Sequence, residues 1–534
     1  MVRLIQRDIK AIQGECIQGS ASAEVSLDLL LGAAAKLEHS IDLSQGGFGD
    51  TPNSSLSMDL RLLLRVSQRE PRQGTLDLVR LTLDRMAAGG IYDHLGGGFA
   101  RYSVDESSLV PHFEKMLCDN ALLTLAYVEG FQVTGNFRYA AIVRETLDYV
   151  LRDMTDPLGG FYSTENADSE GVAGKFYLWK PQEICRVLGG DRGSRFCYVY
   201  DVSDSGNFEH GQSMLNLYKS IAQCAALHGW DAAEVESELA EDRAKLFAHR
   251  ERRVHPRKDE KVLVSWNALT IDALARASAA VEQPLYLKAA QGAADFILTN
   301  VRRTDGRLLH AWRHGRAKCD AYLDDYTYLI NALVSLYEVG FDEQCIDEAV
   351  RLADCVLHHF ADPTGGFFYT ADDHEQLIAR HKDLQDRAVP SGNSMAAYGL
   401  LRLGRLIGRP DYVEAAARTM HIAAPLMQQH PTAAGQMLLA ADFYLGPSRR
   451  LVLVAELQSN DADAVLESLH ARFLPRDLIA CRPPAAGDSR HLDSLFAVRT
   501  NGLNNEPVLY VWENLTCQSP AIGKDAVLEK IAIL

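Results

Sequence analysis

The chain has 534 residues, 47% hydrophobic and 23% charged, a balance that suits a folded globular protein and excludes a disordered one. Fifty-four Lys and Arg against 71 Asp and Glu leave a formal net charge of −17, which repels phosphate backbones and argues against nucleic acid as a partner. No run of about 18 apolar residues is present, so no membrane partner is expected.

Residues 1–27 read as an N-terminal extension without a signal-peptide core. The ten cysteines are scattered and form no CxxC pair, which predicts free thiols and a cytoplasmic location. Residues 28–447 carry an internal repeat. Its marker is Gly-Gly-Phe, at Gly46-Gly47-Phe48, Gly97-Gly98-Phe99, Gly159-Gly160-Phe161 and Gly365-Gly366-Phe367, with a degenerate copy at Asp305-Gly306-Arg307-Leu308. Segments 137–154, 284–302 and 345–360 have one apolar face at helical spacing and keep charges on the other, as outer helices do. Segments 120–135, 266–281, 324–340 and 393–408 are apolar nearly all round, which predicts helices buried on every side. Alternating outer and inner helices stack as an open solenoid or close into a toroid. Polar knots recur before the inner helices and would converge on one mouth of a ring, so the reading is an α/α toroid with its site there. Residues 448–534 change texture to strand, helix, strand, strand, helix, a small α/β appendage.

The knots supply the candidate chemistry. The first contains His94, Arg101 and Tyr102, then His112, Glu114 and Lys115 at a helix start, with Asp119 and Asn120 about two turns later. A histidine beside a carboxylate and an ammonium is what proton transfer on a polyol or carbonyl substrate needs, although a helix cap with a buried ion pair would use the same residues. The second places Asp168 in an acidic hairpin tip, suited equally to a cation through oxygen ligands and to plain solvation. The third runs from His255 through Lys258, Asp259 and Lys261 to Trp266 and Asn267, a solvated charge run unless it faces the mouth, where Trp266 would stack on a sugar ring and Asn267 read hydroxyls. The last two are Tyr322-Leu323-Asp324-Asp325-Tyr326 and Pro390-Ser391-Gly392-Asn393-Ser394. Adjacent carboxylates form either helix caps or an acid/base pair with separated pKa values, and the serine reads first as a cap. No nucleophile elbow, P-loop, dinucleotide fingerprint or zinc spacing occurs, so no cofactor and no metal is expected.

These knots, in this order, resemble one family, the thioredoxin-domain-containing family that includes spermatogenesis-associated protein 20. The resemblance rests on GGIYDHLGGGFARYSVDESSLVPHFEKMLCDNALL, GGFYSTENADSEGVAGKFYLW, DEKVLVSWNALTIDALA, YLDDYTYLI and AVPSGNSMAA, and spans nearly the whole chain. It implies an (α/α)6 toroid of the six-hairpin glycosidase type, similar to N-acylglucosamine 2-epimerases. Three departures stand out. The family's N-terminal thioredoxin-like unit with its Cys-His-Trp-Cys-His stretch has no counterpart here. Its Pro-Lys-Phe-Pro segment is replaced by Asp50-Thr51-Pro52-Asn53-Ser54, and its tyrosine before Asp119-Asn120 is Cys118. By resemblance, the expected function is a carbohydrate-active isomerase or epimerase on a sugar-like small molecule. His112, or else His255, would move the proton, and Glu114 and Asp119 would orient it. Asp324 and Asp325 would hold hydroxyls or act as the second acid/base. The alternatives are a glycoside hydrolase using Asp119 with Asp325, and a non-catalytic binding or assembly protein.

Overall fold

The computed structural model describes residues 24–41, 56–71, 73–101, 111–375, 379–483, 490–496, 506–513 and 516–534. The Gly46-Gly47-Phe48 knot and Tyr102 lie outside these residues.

Six inner helices form a closed ring: α2 (Leu56–Arg69), α4 (Leu117–Thr134), α10 (Val264–Ala280), α12 (Leu323–Gly340), α14 (Gly392–Ile407) and α16 (Gly435–Leu445). Each packs on the next, and α16 packs back on α2, so the chain is a toroid rather than a solenoid. Outer helices α1 (Leu27–Ser40), α3 (Gln73–Ala88), α5 (Phe137–Asp153), α11 (Pro284–Asn300), α13 (Glu343–His359) and α15 (Pro410–Gln429) sit against them, and α15 meets α1 to close the outer layer. The two layers follow from composition. Along α12 nearly every residue from Leu323 to Tyr337 is buried, whereas α13 buries only Ile346, Ala349, Val350, Leu352, Ala353 and Val356, one helical stripe. Outer helices are capped locally, by Asn136 on α5 and Asp342 on α13, with proline in the first turn of α11 and α15.

Among the described residues the Gly-Gly-Phe marker and its degenerate copy form the same turn each time. Isolated antiparallel bridges join Tyr92 to Phe99, Thr155 to Phe161, Arg302 to Leu308 and Ala361 to Phe367. Gly97 holds φ at +76°, and a Cβ there would sit 2.1 Å from the Glu145 carbonyl oxygen, so neither the backbone nor the space admits another residue.

Two layers are added to the ring. Between α5 and α10 an insertion carries α6 (Pro181–Leu188), α7 (Gly190–Val199), α8 (Ile221–His228) and α9 (Ala232–Arg250), with its own core around Trp179, Phe196, Tyr200 and Leu246. The repeat reading did not separate it, because its helices are amphipathic like the outer ones. Its anchor is Arg250, which forks onto Asp93 with two 2.8 Å bonds. After α16 comes a sheet of order β10-β9-β11-β12, with β13 on β11: β9 (Arg449–Val454), β10 (Leu478–Arg482), β11 (Val508–Glu513), β12 (Thr516–Cys517) and β13 (Ala521–Ile522). Strands β9 and β10 are parallel, joined through α17 (Asn460–His470), and β11 is antiparallel to β9. Alternate residues divide the work: Val452, Leu478, Ala480 and Tyr510 join the ring core, while Leu451, Leu453, Leu509 and Val511 pack with α17 and α18 (Lys524–Ala532). The sheet covers the end of the ring where the inner helices terminate, with Gln132 donating to the His470 carbonyl at 2.7 Å.

Candidate functional site

The opposite end of the ring is the mouth, because the inner helices start there. Asp325, fully buried at the start of α12, ties three elements together. Its Oδ1 accepts from the Ser265 amide of α10 at 3.0 Å, and its Oδ2 accepts from the Tyr322 amide at 2.9 Å. His310, on hairpin strand β7 (Leu309–Arg313), places Nδ1 2.9 Å from the same Oδ2. That contact fixes the ring and its tautomer. Burial opposes the imidazolium, but the bond to and charge of Asp325 outweigh it and raise the His310 pKa.

Beside this pair, Asp324 is held protonated. Burial is the main cause, followed by the charges of Asp325 and Asp383, and its pKa is pushed up to about 8. Its Oδ1 is buried without a hydrogen-bond partner among the described residues. On α4, Asp119 is raised to about 7, mainly by burial, with Arg101 opposing and Glu114 adding to the shift. Its Oδ2 is likewise buried and unpartnered. Asp386 is raised to about 6 by burial although it accepts the amides of Ser391, Gln436 and Met437, and Asp59 on α2 is raised by burial and by Asp386. An aromatic shelf adjoins the Asp324–Asp325 corner: Tyr322 and Tyr369 stack at 4.9 Å and 15°, and Tyr369 stacks on His381 at 5.2 Å.

Several residues expected to read substrate are instead committed to the fold. Phe99 N donates to Asn120 Oδ1 at 2.7 Å, and Asn120 Nδ2 returns bonds to the Phe99 and Met116 carbonyls. Asn267 holds Phe161 and Leu263 identically, and Asn393 holds Phe367 and Asp383. In the degenerate copy Tyr326 takes over, its hydroxyl accepting from Leu308 N and Arg307 Nε. These four pins are buried, and each accepts the backbone amide of the apolar residue that ends the preceding turn. Lys115 is equally internal, bonded to Asp93 and the Gly97 carbonyl at 2.8 Å each and lying 4.2 Å over the Tyr149 ring. His94 is buried between Tyr92 and Tyr200, and burial lowers its pKa to about 4, so it stays neutral. Ser391 is the α14 N-cap, accepting from Ser394 N.

The remaining expectations fall at the rim. His112 is 39% exposed, with Nδ1 3.8 Å from Glu114, which also faces Arg101 at 3.7 Å. His255 is 40% exposed, near Glu251 of the insertion and packed on Phe176, away from the Asp325 corner. Lys258 and Asp259 form strand β5 against β2 (Thr164–Glu165), and Lys261 pairs with Asp259 at 2.9 Å. Asp168 is exposed on the two-stranded β3–β4 hairpin (Asp168–Ser169 and Val172–Ala173). Trp266 is partly buried against the ring core. Among the described residues, one trio lies close enough to share a cation, His359, Asp372 and Asp373, and the last two are exposed. Missed in the sequence were His310, Tyr369 and Asp386, and Tyr322 was part of a knot but given no role; only a histidine in a hairpin before a double aspartate could have pointed to His310.

No family model matches the chain. Spermatogenesis-associated protein 20 of Homo sapiens is 30% identical over 526 residues, covering 91% of this chain and 67% of the relative. The chain belongs to the spermatogenesis-associated protein 20 family. The Mus musculus member is also 30% identical over 526 residues, covering 91% of this chain and 66% of its own, so the chain spans about two thirds of these relatives. Among solved structures, an unsaturated glucuronyl hydrolase specific for heparin aligns with TM-score 0.45 at 10% identity, over 74% of this chain and 82% of its own. An α-mannanase of Bacteroides thetaiotaomicron aligns with TM-score 0.46 at 11% identity, over 80% and 98%. A sugar epimerase from a ruminal bacterium aligns with TM-score 0.31 at 10% identity, over 76% and 97%. No described helix of this family member is long and apolar enough to cross a membrane.

Proposed function

We propose that the mouth is an active site for proton transfer on a sugar-like, polyhydroxylated small molecule, with isomerisation or epimerisation as the leading reaction. The observation that carries this reading is a pair of carboxyls, the half-buried Asp324 and the buried Asp119, on two different inner helices, each with one buried oxygen that has no hydrogen-bond partner among the described residues and a pKa displaced to the neutral range. A group that titrates near the working pH both takes and gives a proton efficiently. His310, oriented by Asp325, is a third proton carrier at the same corner. The histidine role thus passes from the half-exposed His112 and His255 to His310. The stacked rings of Tyr322, Tyr369 and His381 wall the same corner and hold their edges beside these carboxyls.

Two carboxyls on separate helices also favour a second reading, hydrolysis of a glycosidic bond lying between them. The two part on products. A panel of sugars and glycosides is screened by thermal shift, and each hit is followed by NMR. A new stereoisomer or ketose supports isomerisation, and new reducing ends support hydrolysis. Binding without turnover, or turnover left unchanged by both Asp324→Asn and Asp119→Asn, overturns the catalytic reading.

A further inference from the structure

The end of the ring beneath the sheet holds a second polar centre that proton transfer at the mouth does not use. Arg61 Nε, Arg61 Nη2 and Arg65 Nη2 converge on one oxygen of Glu129, at 2.9, 2.8 and 3.1 Å. The other oxygen, Glu129 Oε2, is buried without a hydrogen-bond partner among the described residues, and so are Arg65 Nε and Nη1. Around them Arg276 pairs with Asp272 at 2.8 Å, Arg402 pairs with Glu338, and Asp442 is shared by Arg69 at 2.5 Å and Arg476 at 3.3 Å. Six guanidiniums thus face four carboxylates, and two positive charges are left over in a largely buried cluster. Uncompensated charge of that kind is costly in a low-dielectric interior.

Tyr398 sits inside this cluster, 2% exposed, with the Arg65 and Arg402 guanidinium carbons 5.7 and 5.5 Å from its ring centroid. Burial alone would raise its phenol, but Arg65, Arg276, Arg402 and Arg61 bring it down to about 8. A cavity of about 100 Å³ adjoins it, lined by Arg276, Ser335, Tyr398 and Arg402, with His470 and Phe473 of the C-terminal layer on the far side. The carboxylates that also line it, Glu129, Glu338 and Asp477, are matched by Arg61 with Arg65, by Arg402 and by Arg449. A space of that size has room for one tetrahedral anion together with a few waters.

We propose that this cavity binds a small oxyanion, inorganic phosphate or sulfate, against Arg276, Ser335 and the Tyr398 hydroxyl. The anion supplies the negative charge that the cluster lacks and holds the sheet against the ring from inside.

The test uses the full chain at constant ionic strength, with sodium phosphate or sodium sulfate exchanged for sodium chloride. Phosphate and sulfate are expected to raise the thermal midpoint saturably where chloride does not. Arg276→Gln is expected to weaken that response at least tenfold, while Asp324→Asn at the mouth keeps it. An equal response to chloride, or one untouched by Arg276→Gln, overturns the proposal. Should Arg276→Gln not fold, tyrosine ionisation followed by ultraviolet absorbance decides the matter in the unaltered chain. A bound anion disfavours the phenolate, so the lowest-pH ionisation step, which Tyr398→Phe removes, must move to higher pH when phosphate is added. A step that stays in place overturns the site.

Discussion

A carboxyl in water titrates near 4, and Asp324 is displaced to about 8 because its charged form would be buried beside Asp325 and Asp383. Between those two values the folded chain keeps a proton that the unfolded chain has released, so this group makes stability fall as pH rises from about 4 to about 8. Asp324→Asn removes that dependence. The variant is expected to be more stable than the parent by about 1–3 kcal/mol at pH 9, with the gap closing toward pH 4. Denaturant unfolding at both pH values checks it, and a gap that does not change with pH refutes the assignment. For turnover, Asp119 near 7 and Asp324 near 8 predict a kcat/KM profile with both limbs in the neutral range. Asp119→Asn should erase one limb and cut the rate at least a hundredfold.

At the scale of elements, the pins explain both what was legible in the sequence and what was misread. The Gly-Gly-Phe spacing and the all-apolar second helices were readable because burial periodicity is local. The roles of Asn120, Asn267 and Asn393 were not, since a carboxamide meets a backbone amide and carbonyl with the same donor and acceptor it would offer a sugar hydroxyl. Only the fold says which partner arrives first. His310 escaped notice for a related reason: its aspartate lies fifteen residues on, across a hairpin whose pairing no short motif reports. Asn267→Ala tests the pin directly. It removes three hydrogen bonds and leaves the Phe161 amide and carbonyl buried without their partner. The expected loss is about 2–4 kcal/mol by denaturant unfolding. A loss below about 0.5 kcal/mol would show that the turn is held by its glycines alone.

Across the whole molecule, the ring and the sheet share a core, and that determines how the protein unfolds. Val452, Leu478 and Tyr510 face the inner helices while their neighbours Leu451, Leu453 and Leu509 face α17 and α18, so neither face of the sheet is free to separate cheaply. Hydrogen bonds from Gln132 to the His470 carbonyl and from Gln68 to the Phe473 carbonyl cross the same boundary. The change of texture near residue 449 was visible in the sequence, but the shared core was not, because alternation along a strand says that both faces are covered without saying by what. Unfolding is therefore expected as one cooperative transition, followed identically by circular dichroism and by tryptophan fluorescence. Leu453→Ala, on the face of the sheet away from the ring, should lower the stability of that single transition by about 2–5 kcal/mol. An early separate transition of the sheet, with the ring's midpoint unmoved by Leu453→Ala, would show that the two layers fold independently and that the contacts at their boundary contribute little.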